Sequence, residues 1–316
     1  MHQDLPRIKT LLGRYPNTLA LREERLKPTL FDFDFDPVKT PNRAFKRAVR
    51  GVEFQVAELA LVTFLQAKAY GKPLSLMPAV VGAGRFQHHC LVSNAERAPL
   101  KVGQLRGKRI GIRAHAQTTV TWVRGVLWDD YGVALDDVQW VTFEDGHLAE
   151  FPDPPNFIRA PEGTSAAQML LDGELDAAII GTDLPDDPRL APVLPDPHVA
   201  AAAWGKRNRL VPINHMMAIH TDLIRERPDI VREIYSVLQE SKKLAPNAAP
   251  VAQDTHGLQA VHRAKEVDLG GVDLTPFGVE ANRGALEVLI RNSYDQGLIP
   301  RAFSVDELFE DFNRLW

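Results

Sequence analysis

The residues best suited to bind and transform a small anion lie between Gly107 and His147. Within this stretch, Arg113 ends a short strand pattern and a helical pattern begins at Thr118 and Thr119. The first N–H groups of a helix have no partner within the helix, and they lie at its positive dipole end, so they attract anions. A second strand pattern follows, and the resulting βαβ unit should place Arg113 at the carboxyl edge, where open α/β sheets bind ligands. The sequence therefore predicts a carboxylate pocket here, with a simple helix cap as the alternative for the threonines.

Three side chains elsewhere are candidates for proton transfer. His88 and His215 lie in segments predicted as strands, and imidazole titrates near neutral pH. Since neighbouring strand residues point to opposite faces, only one of His88 and His89 should reach a ligand, and we select His88. Glu58 follows a buried strand pattern, so we expect it either to accept a hydrogen bond from substrate or to cap the next helix. A hydrogen-bonded core histidine is the alternative for His215.

The remaining predicted ligand-binding residues are polar side chains near strand ends and turns. Arg85 suits a carboxylate because its guanidinium forms two parallel hydrogen bonds, although a solvated surface arginine is the alternative for it and for Arg113. His147 belongs to an acidic loop at the same edge as Arg113, and Asn214 directly precedes His215. Thr18 closes a turn that leads into a short helix.

The composition is that of an ordinary globular protein, and it excludes several classes of function. The chain has 316 residues, of which 45% are hydrophobic and 25% charged, and its formal net charge is −4. This length predicts two domains. It has no Lys/Arg-rich stripe and no run of about 18 apolar residues, so neither nucleic acid nor a membrane is an expected partner.

Cysteine usage and the first residues predict a cytoplasmic protein. The segment MHQDLPRIKTLLGRYP has neither the apolar region nor the small-residue cleavage site of a signal peptide. The single cysteine, Cys90, excludes an internal disulfide framework and is compatible with a reducing compartment. A homo-oligomer is possible.

The alternation of strand and helix patterns that must position these residues predicts an α/β fold. We expect two doubly wound lobes joined by a two-strand hinge, with crossing strands near 88–95 and 211–220. Lobe 1 would then be discontinuous, comprising residues 1–95 and 211–316, and lobe 2 would comprise residues 96–210. The ligand cleft is predicted between the lobes.

The order and spacing of several segments carry a resemblance to a known family. They are FQVAELA (54–60), AKAYGKP (67–73), RFQHH (85–89), GIR (111–113) with TTVT (118–121), WVRG (122–125) and PINH (212–215). From about residue 7 to the C-terminus, the chain resembles the 4,5-dihydroxyphthalate decarboxylase family, from which Ala83, Gly84 and Gln87 depart. The resemblance implies a fold like that of the type II periplasmic binding proteins, with ligand held between two lobes.

The resemblance also implies an activity. We expect a decarboxylase that converts a hydroxylated aromatic dicarboxylic acid, 4,5-dihydroxyphthalate above others, to 3,4-dihydroxybenzoate (protocatechuate) and CO2. Such a reaction protonates the ring carbon that bears the carboxylate, so it needs no redox cofactor, and none is predicted. The expected partner is a small aromatic carboxylate. The alternative is a non-catalytic solute-binding protein that uses the same cleft.

Metal and nucleophilic chemistry are weaker alternatives. A set drawn from His88, His89, His147, His215, Glu58 and Asp183 would suit a divalent ion if it converged. The sequence contains no short ligand spacing such as HExxH and no GxSxG motif, so we predict neither a metal site nor a serine nucleophile.

Overall fold

The computed structural model describes residues 5–181, 184–245, 264, 266, 267, 269 and 271–316. Its strands are β1 Arg7–Leu11, β2 Asp32–Phe35, β3 Val56–Ala60, β4 Leu74–Val80, β5 Leu91–Asn94, β6 Arg109–Ile112, β7 Gln139–Thr142, β8 Ile158–Arg159, β9 Ala177–Ile179, β10 Leu190–Pro192 and β11 His215–His220. Its α-helices are α1 Leu19–Arg22, α2 Phe45–Arg50, α3 Leu61–Ala69, α4 Thr118–Tyr131, α5 Ala166–Asp172, α6 Pro197–Asn208, α7 Thr221–Glu226, α8 Pro228–Lys243, α9 Val279–Asp295, α10 Val305–Leu308 and α11 Glu310–Asn313. Short 3-10 helices cover Pro41–Ala44, His88–Cys90, Val102–Gln104 and Leu135–Asp137. The predicted α/β fold class is confirmed.

The first sheet has the strand order β2-β1-β3-β11-β4. Strand β3 runs parallel to β1 and antiparallel to β11, with Ala60 opposite His215 and Glu58 opposite Met217. The end of β3 and the start of β11 therefore meet at one edge of the sheet. The sequence prediction that Glu58 follows the strand is wrong, because Glu58 lies in the middle of β3 and is fully buried.

The second sheet has the order β10-β5-β9-β6-β7-β8 and contains the predicted βαβ unit. Strands β6 and β7 are parallel, and α4 connects them, beginning at Thr118 as predicted. Gly132 ends α4 in the left-handed conformation, φ 62°, which glycine adopts at little cost. Its N–H donates to the carbonyls of Leu127 and Trp128. Arg113 directly follows β6 and so lies at the predicted carboxyl edge.

The chain passes from the first sheet to the second between residues 81 and 90, and it returns between residues 193 and 214. The strand predicted from residue 88 begins only at Leu91, because residues 88–90 form a 3-10 helix. Strand β5 pairs within the second sheet and β11 within the first, so neither strand is shared by both sheets. The proposed division into lobes 1–95 plus 211–316 and 96–210 remains a prediction.

Helix ends and core contacts hold the two sheets and their crossings together. The Trp122 side chain on α4 is buried, and its Nε1–H donates to the carbonyl of Ile213 in the second crossing, 3.0 Å away. A capping box formed by Ser304 and Glu307 begins α10. No helix within the described ranges is both long enough and apolar enough to cross a membrane.

Candidate active site

A cavity of about 630 Å³ is lined by residues at strand ends of both sheets and by the starts of α2 and α4. Ala60 ends β3, His215 begins β11 and Arg113 follows β6. Seven of the ten predicted site residues line this cavity: Arg85, Arg113, Thr118, Thr119, His147, Asn214 and His215. The other three, Glu58, Thr18 and His88, do not.

Glu58 lies behind the cavity wall and contacts the cavity through other residues. Its Oε1 is 2.7 Å from Nδ1 of His215 and accepts a hydrogen bond from the Tyr15 hydroxyl at 2.5 Å. Its Oε2 accepts from the backbone N–H of Gly13 at 2.8 Å. Because Nδ1 is used by Glu58, Nε2 is the His215 nitrogen that remains for a ligand.

Tyr15 is a cavity residue that sequence reasoning missed. Burial raises its pKa well above 10, and the Glu58 carboxylate raises it further, so the Tyr15 side chain remains a neutral phenol. Gly13 makes room for the ring, since a Cβ at that position would lie 2.5 Å from a ring carbon of Tyr15. Tyr15 belongs to no recognisable sequence motif and is 43 residues from Glu58. Only the folded structure brings these two side chains together.

Thr18 shapes the loop that carries Tyr15. It is fully buried, and its hydroxyl accepts from the Tyr15 N–H at 2.9 Å and donates to the Gly13 carbonyl at 2.8 Å. The prediction that Thr18 binds ligand is wrong in its placement, because its hydroxyl is used inside the loop and does not line the cavity.

His147 lines the cavity and is held as a neutral imidazole. Its Nδ1 lies 2.7 Å from the hydroxyl of Thr63 on α3. Burial lowers its pKa to about 3, and the positive charges of Arg113 and Lys46 add to the effect. Arg50 fixes the loop around it by donating to the carbonyls of His147 and Gly146, each at 2.9 Å.

Phe45, the first residue of α2, contacts the rings of both histidines. Its ring centroid lies 5.4 Å from that of His147 and 5.4 Å from that of His215, with both contacts edge-to-face. Phe45 is buried and also lines the cavity. Both imidazoles thus contact the same aromatic ring.

A chain of hydrogen bonds connects the start of α4 with the first crossing. Asn214 donates through Nδ2 to the Thr119 hydroxyl at 3.1 Å, and its Oδ1 accepts from Nε2 of Gln87 at 3.1 Å. The same Gln87 nitrogen donates to the carbonyl of Arg85 at 3.1 Å. The Thr118 hydroxyl accepts from the Val62 N–H, which joins the starts of α3 and α4. The threonine hydroxyls therefore hold the cavity wall together as well as facing it.

Positive charge dominates the cavity. Among the described residues that line it, Glu144 is the only acidic one and six are basic: Arg14, Lys39, Arg43, Lys46, Arg85 and Arg113. Arg43 and Lys46 are cavity residues that sequence reasoning missed, although their spacing of three residues was an available signal. Such a site favours a ligand with more than one negative charge.

Comparison with known proteins agrees with this geometry. A 4,5-dihydroxyphthalate decarboxylase from Comamonas testosteroni is 28% identical over 312 residues, which cover 90% of this chain and 93% of that protein. A 4,5-dihydroxyphthalate decarboxylase from Pseudomonas putida is 30% identical over 184 residues, 54% of this chain and 71% of the relative. The chain belongs to the 4,5-dihydroxyphthalate decarboxylase family. The predicted enzyme class, a carboxy-lyase, is confirmed at the level of this family.

Solved structures confirm the fold of this decarboxylase family member. The alkanesulfonate-binding protein SsuA from Xanthomonas axonopodis pv. citri aligns with a TM-score of 0.60 at 12% identity, over 97% of this chain and 98% of that one. At this identity the alignment shows the fold alone, which is that of the periplasmic binding proteins. No family model matches the chain.

His88 does not reach the cavity of this decarboxylase family member, so its predicted placement is wrong. The side chain is buried, and its ring centroid lies 6.1 Å from those of Phe86 and Trp204. Neither ring nitrogen has a hydrogen-bond partner in the described part of the chain. Burial lowers its pKa to about 4, so this histidine is a neutral core residue at physiological pH.

The residues considered for a metal ion do not converge in the structure. Among the described residues, no group of three or more His, Cys, Asp or Glu side chains is placed to hold a metal. Asp183, which the sequence offered as one of that set, lies outside the described residues.

Proposed function

We propose that this protein decarboxylates 4,5-dihydroxyphthalate to 3,4-dihydroxybenzoate and CO2, with His215 as the proton donor. The observation that carries the proposal is the contact between His215 and the buried Glu58 at the wall of a cationic cavity. The names of the two relatives supply the substrate. The residues supply a reason why that substrate would bind and react.

The two adjacent carboxylates of the substrate match the charge of the cavity. Arg85 and Arg113 can each pair with a carboxylate, and the start of α4 adds unpaired N–H groups and the positive end of the helix dipole. Lys46 and Arg43 contribute further positive charge from α2 and the 3-10 helix that precedes it. A monoanion or a neutral ring would compensate less of this positive charge than a dianion does.

The bond changes follow from the position of the acid. His215, protonated and paired with Glu58, donates its Nε2 proton to the ring carbon that bears the leaving carboxylate. The C–CO2 bond then breaks, its electron pair returns to the ring, and CO2 leaves. Neutral His215 takes a proton from solvent, so each turnover consumes one proton and needs no redox cofactor.

The proposal is tested by incubating purified protein with 4,5-dihydroxyphthalate in D2O. We expect CO2 release and a product with one deuterium at the carbon that lost the carboxylate. His215→Gln should lower kcat by about 100- to 10,000-fold, the usual range for general acid–base catalysis, while His220→Gln, away from the cavity, should keep normal turnover. Tight binding of hydroxylated phthalates without CO2 release would instead identify a solute-binding protein.

Location and assembly remain predictions. Cys90, the single cysteine, is buried, which is compatible with the cytoplasmic location that we propose. The sequence analysis leaves open both a monomer and a homo-oligomer, and size-exclusion chromatography with light scattering would decide between them.

A further inference from the structure

The cavity contains two histidines in opposite electrostatic surroundings. His215 contacts a buried carboxylate, that of Glu58, through Nδ1. The Nδ1 atom of His147 contacts the hydroxyl of Thr63, and burial, together with the charges of Arg113, Lys46 and Arg50, favours the neutral form of this ring. Two titratable groups in one site whose surroundings differ in charge suit the separate roles of acid and base.

We propose that His147 is the second catalytic histidine and accepts the proton of the ring hydroxyl that lies para to the leaving carboxylate. This assignment rests on the proposed decarboxylase function and deepens it. It requires the tautomer in which Nδ1–H donates to the Thr63 hydroxyl, so that Nε2 is the free acceptor on the cavity side.

The spacing of the two imidazoles fits this division of labour. Each ring centroid lies 5.4 Å from that of Phe45, so the distance between them is at most twice that value. The acid and the base must be separated by one benzene ring plus one hydrogen bond at each end. Because the ring carbon and the para hydroxyl are at opposite ends of the substrate, a single histidine cannot contact both.

The charges around His147 change when substrate binds. In the free protein, burial is the main factor that disfavours a proton on His147, and the charges of Arg113 and Lys46 add to it. A dicarboxylate that pairs with these two cations offsets their contribution, so His147 becomes a better proton acceptor in the complex.

The proton transfers balance over one cycle. The ring O–H bond breaks, its proton moves to Nε2 of His147, and the electron pair remains on the ring oxygen. The negative charge on the ring oxygen makes the ring carbon that bears the carboxylate a better proton acceptor. That carbon takes a proton from His215, and CO2 leaves. His147 then returns its proton to the ring oxygen and the hydroxyl is restored. The net reaction remains the uptake of one proton and the loss of one CO2.

The experiment uses 3,4-dihydroxybenzoate, a catechol with a carboxylate, as an optical probe at pH 7. Free phenols ionise near pH 10, so a phenolate absorption band in the complex reports transfer of the hydroxyl proton to the protein. We expect the band with wild-type protein, His215→Gln and His220→Gln, and its loss with His147→Gln. Thr63→Val, which removes the partner of Nδ1, should weaken it. In turnover of 4,5-dihydroxyphthalate, His147→Gln should lower kcat by about 100- to 10,000-fold with KM changed only a few-fold.

The possible failures can be told apart. No band in the wild-type complex, or an equal band and unchanged kcat in His147→Gln, would overturn the role of His147. Absence of CO2 release by the wild-type protein would overturn the proposed function itself.

Discussion

The Nδ1 atom of His215 lies 2.7 Å from the Oε1 atom of Glu58, and the two residues are 157 positions apart in the chain. Glu58 has no exposed surface, whereas the His215 side chain is 26% exposed and lines the cavity. The carboxylate therefore acts on a ligand only through side chains that line the cavity, the imidazole of His215 and the phenol of Tyr15. Glu58 is therefore a positioning residue. The sequence analysis expected it instead to accept a hydrogen bond from substrate or to cap the next helix.

Glu58→Gln should lower kcat by about 10- to 100-fold, because a hydrogen bond to a charged group contributes roughly 1.5–3 kcal/mol. KM for 4,5-dihydroxyphthalate should change little, since the carboxylate does not line the cavity. Steady-state kinetics measure both constants. Conversely, a large rise in KM with kcat unchanged would show that Glu58 contacts the substrate.

Arg113→Ala should weaken binding of a dicarboxylate far more than binding of a neutral analogue. Arg113 follows β6 beside the start of α4, so its charge and the helix dipole act on the same anion. The expected loss is about 10- to 100-fold in Kd for phthalate, against little change for an uncharged catechol. Calorimetry with both ligands checks this, and equal losses would mean that Arg113 only supports the fold.

Gly13→Ala should reduce turnover by displacing Tyr15 from Glu58. The new Cβ would lie 2.5 Å from the Tyr15 ring, and relieving such a clash costs about 1–3 kcal/mol. Gly103→Ala is the matched control, because a Cβ there meets nothing within 4 Å. Kinetics and thermal unfolding of both variants test the effect. Normal kcat in Gly13→Ala would show that the Tyr15 contact is dispensable.

The protein should lose stability as the pH falls from 7 toward 4. The pKa values of His88, His115 and His147 are lowered to about 4, 3 and 3, mainly by burial. Between these values and 6.5 the unfolded chain binds more protons than the folded one, so the free energy of unfolding decreases with falling pH. Each histidine contributes up to about 1.4 kcal/mol per pH unit in that range.

Urea unfolding at several pH values measures this slope. His88→Phe should make it shallower, because the phenyl ring fits between Phe86 and Trp204 without an ionisable group. An unchanged slope in His88→Phe would indicate that His88 is not neutral in the folded protein.

Local sequence patterns determined much of the fold and one side of the cavity. The βαβ unit around α4 could be predicted because strand period, helix period and the glycine at position 132 all agree. That unit also determines the positions of Arg113, Thr118 and Thr119, because the loop between β6 and α4 is short and restricts where these residues can lie. The capping box at Ser304 also depends only on residues that are close in the sequence, Ser304 and Glu307.

Only the tertiary structure decided which polar residues meet. His88 and His215 are equivalent candidates in the sequence, yet the first packs between aromatic rings and the second faces the cavity. The register of β3 against β11 brings the buried Glu58 next to His215. Tyr15 lies in the loop that follows β1 and contacts Glu58 from there. The physical reason is that hydrogen-bond partners, burial and the charge of neighbouring groups depend on contacts between distant segments, which local periodicity does not encode.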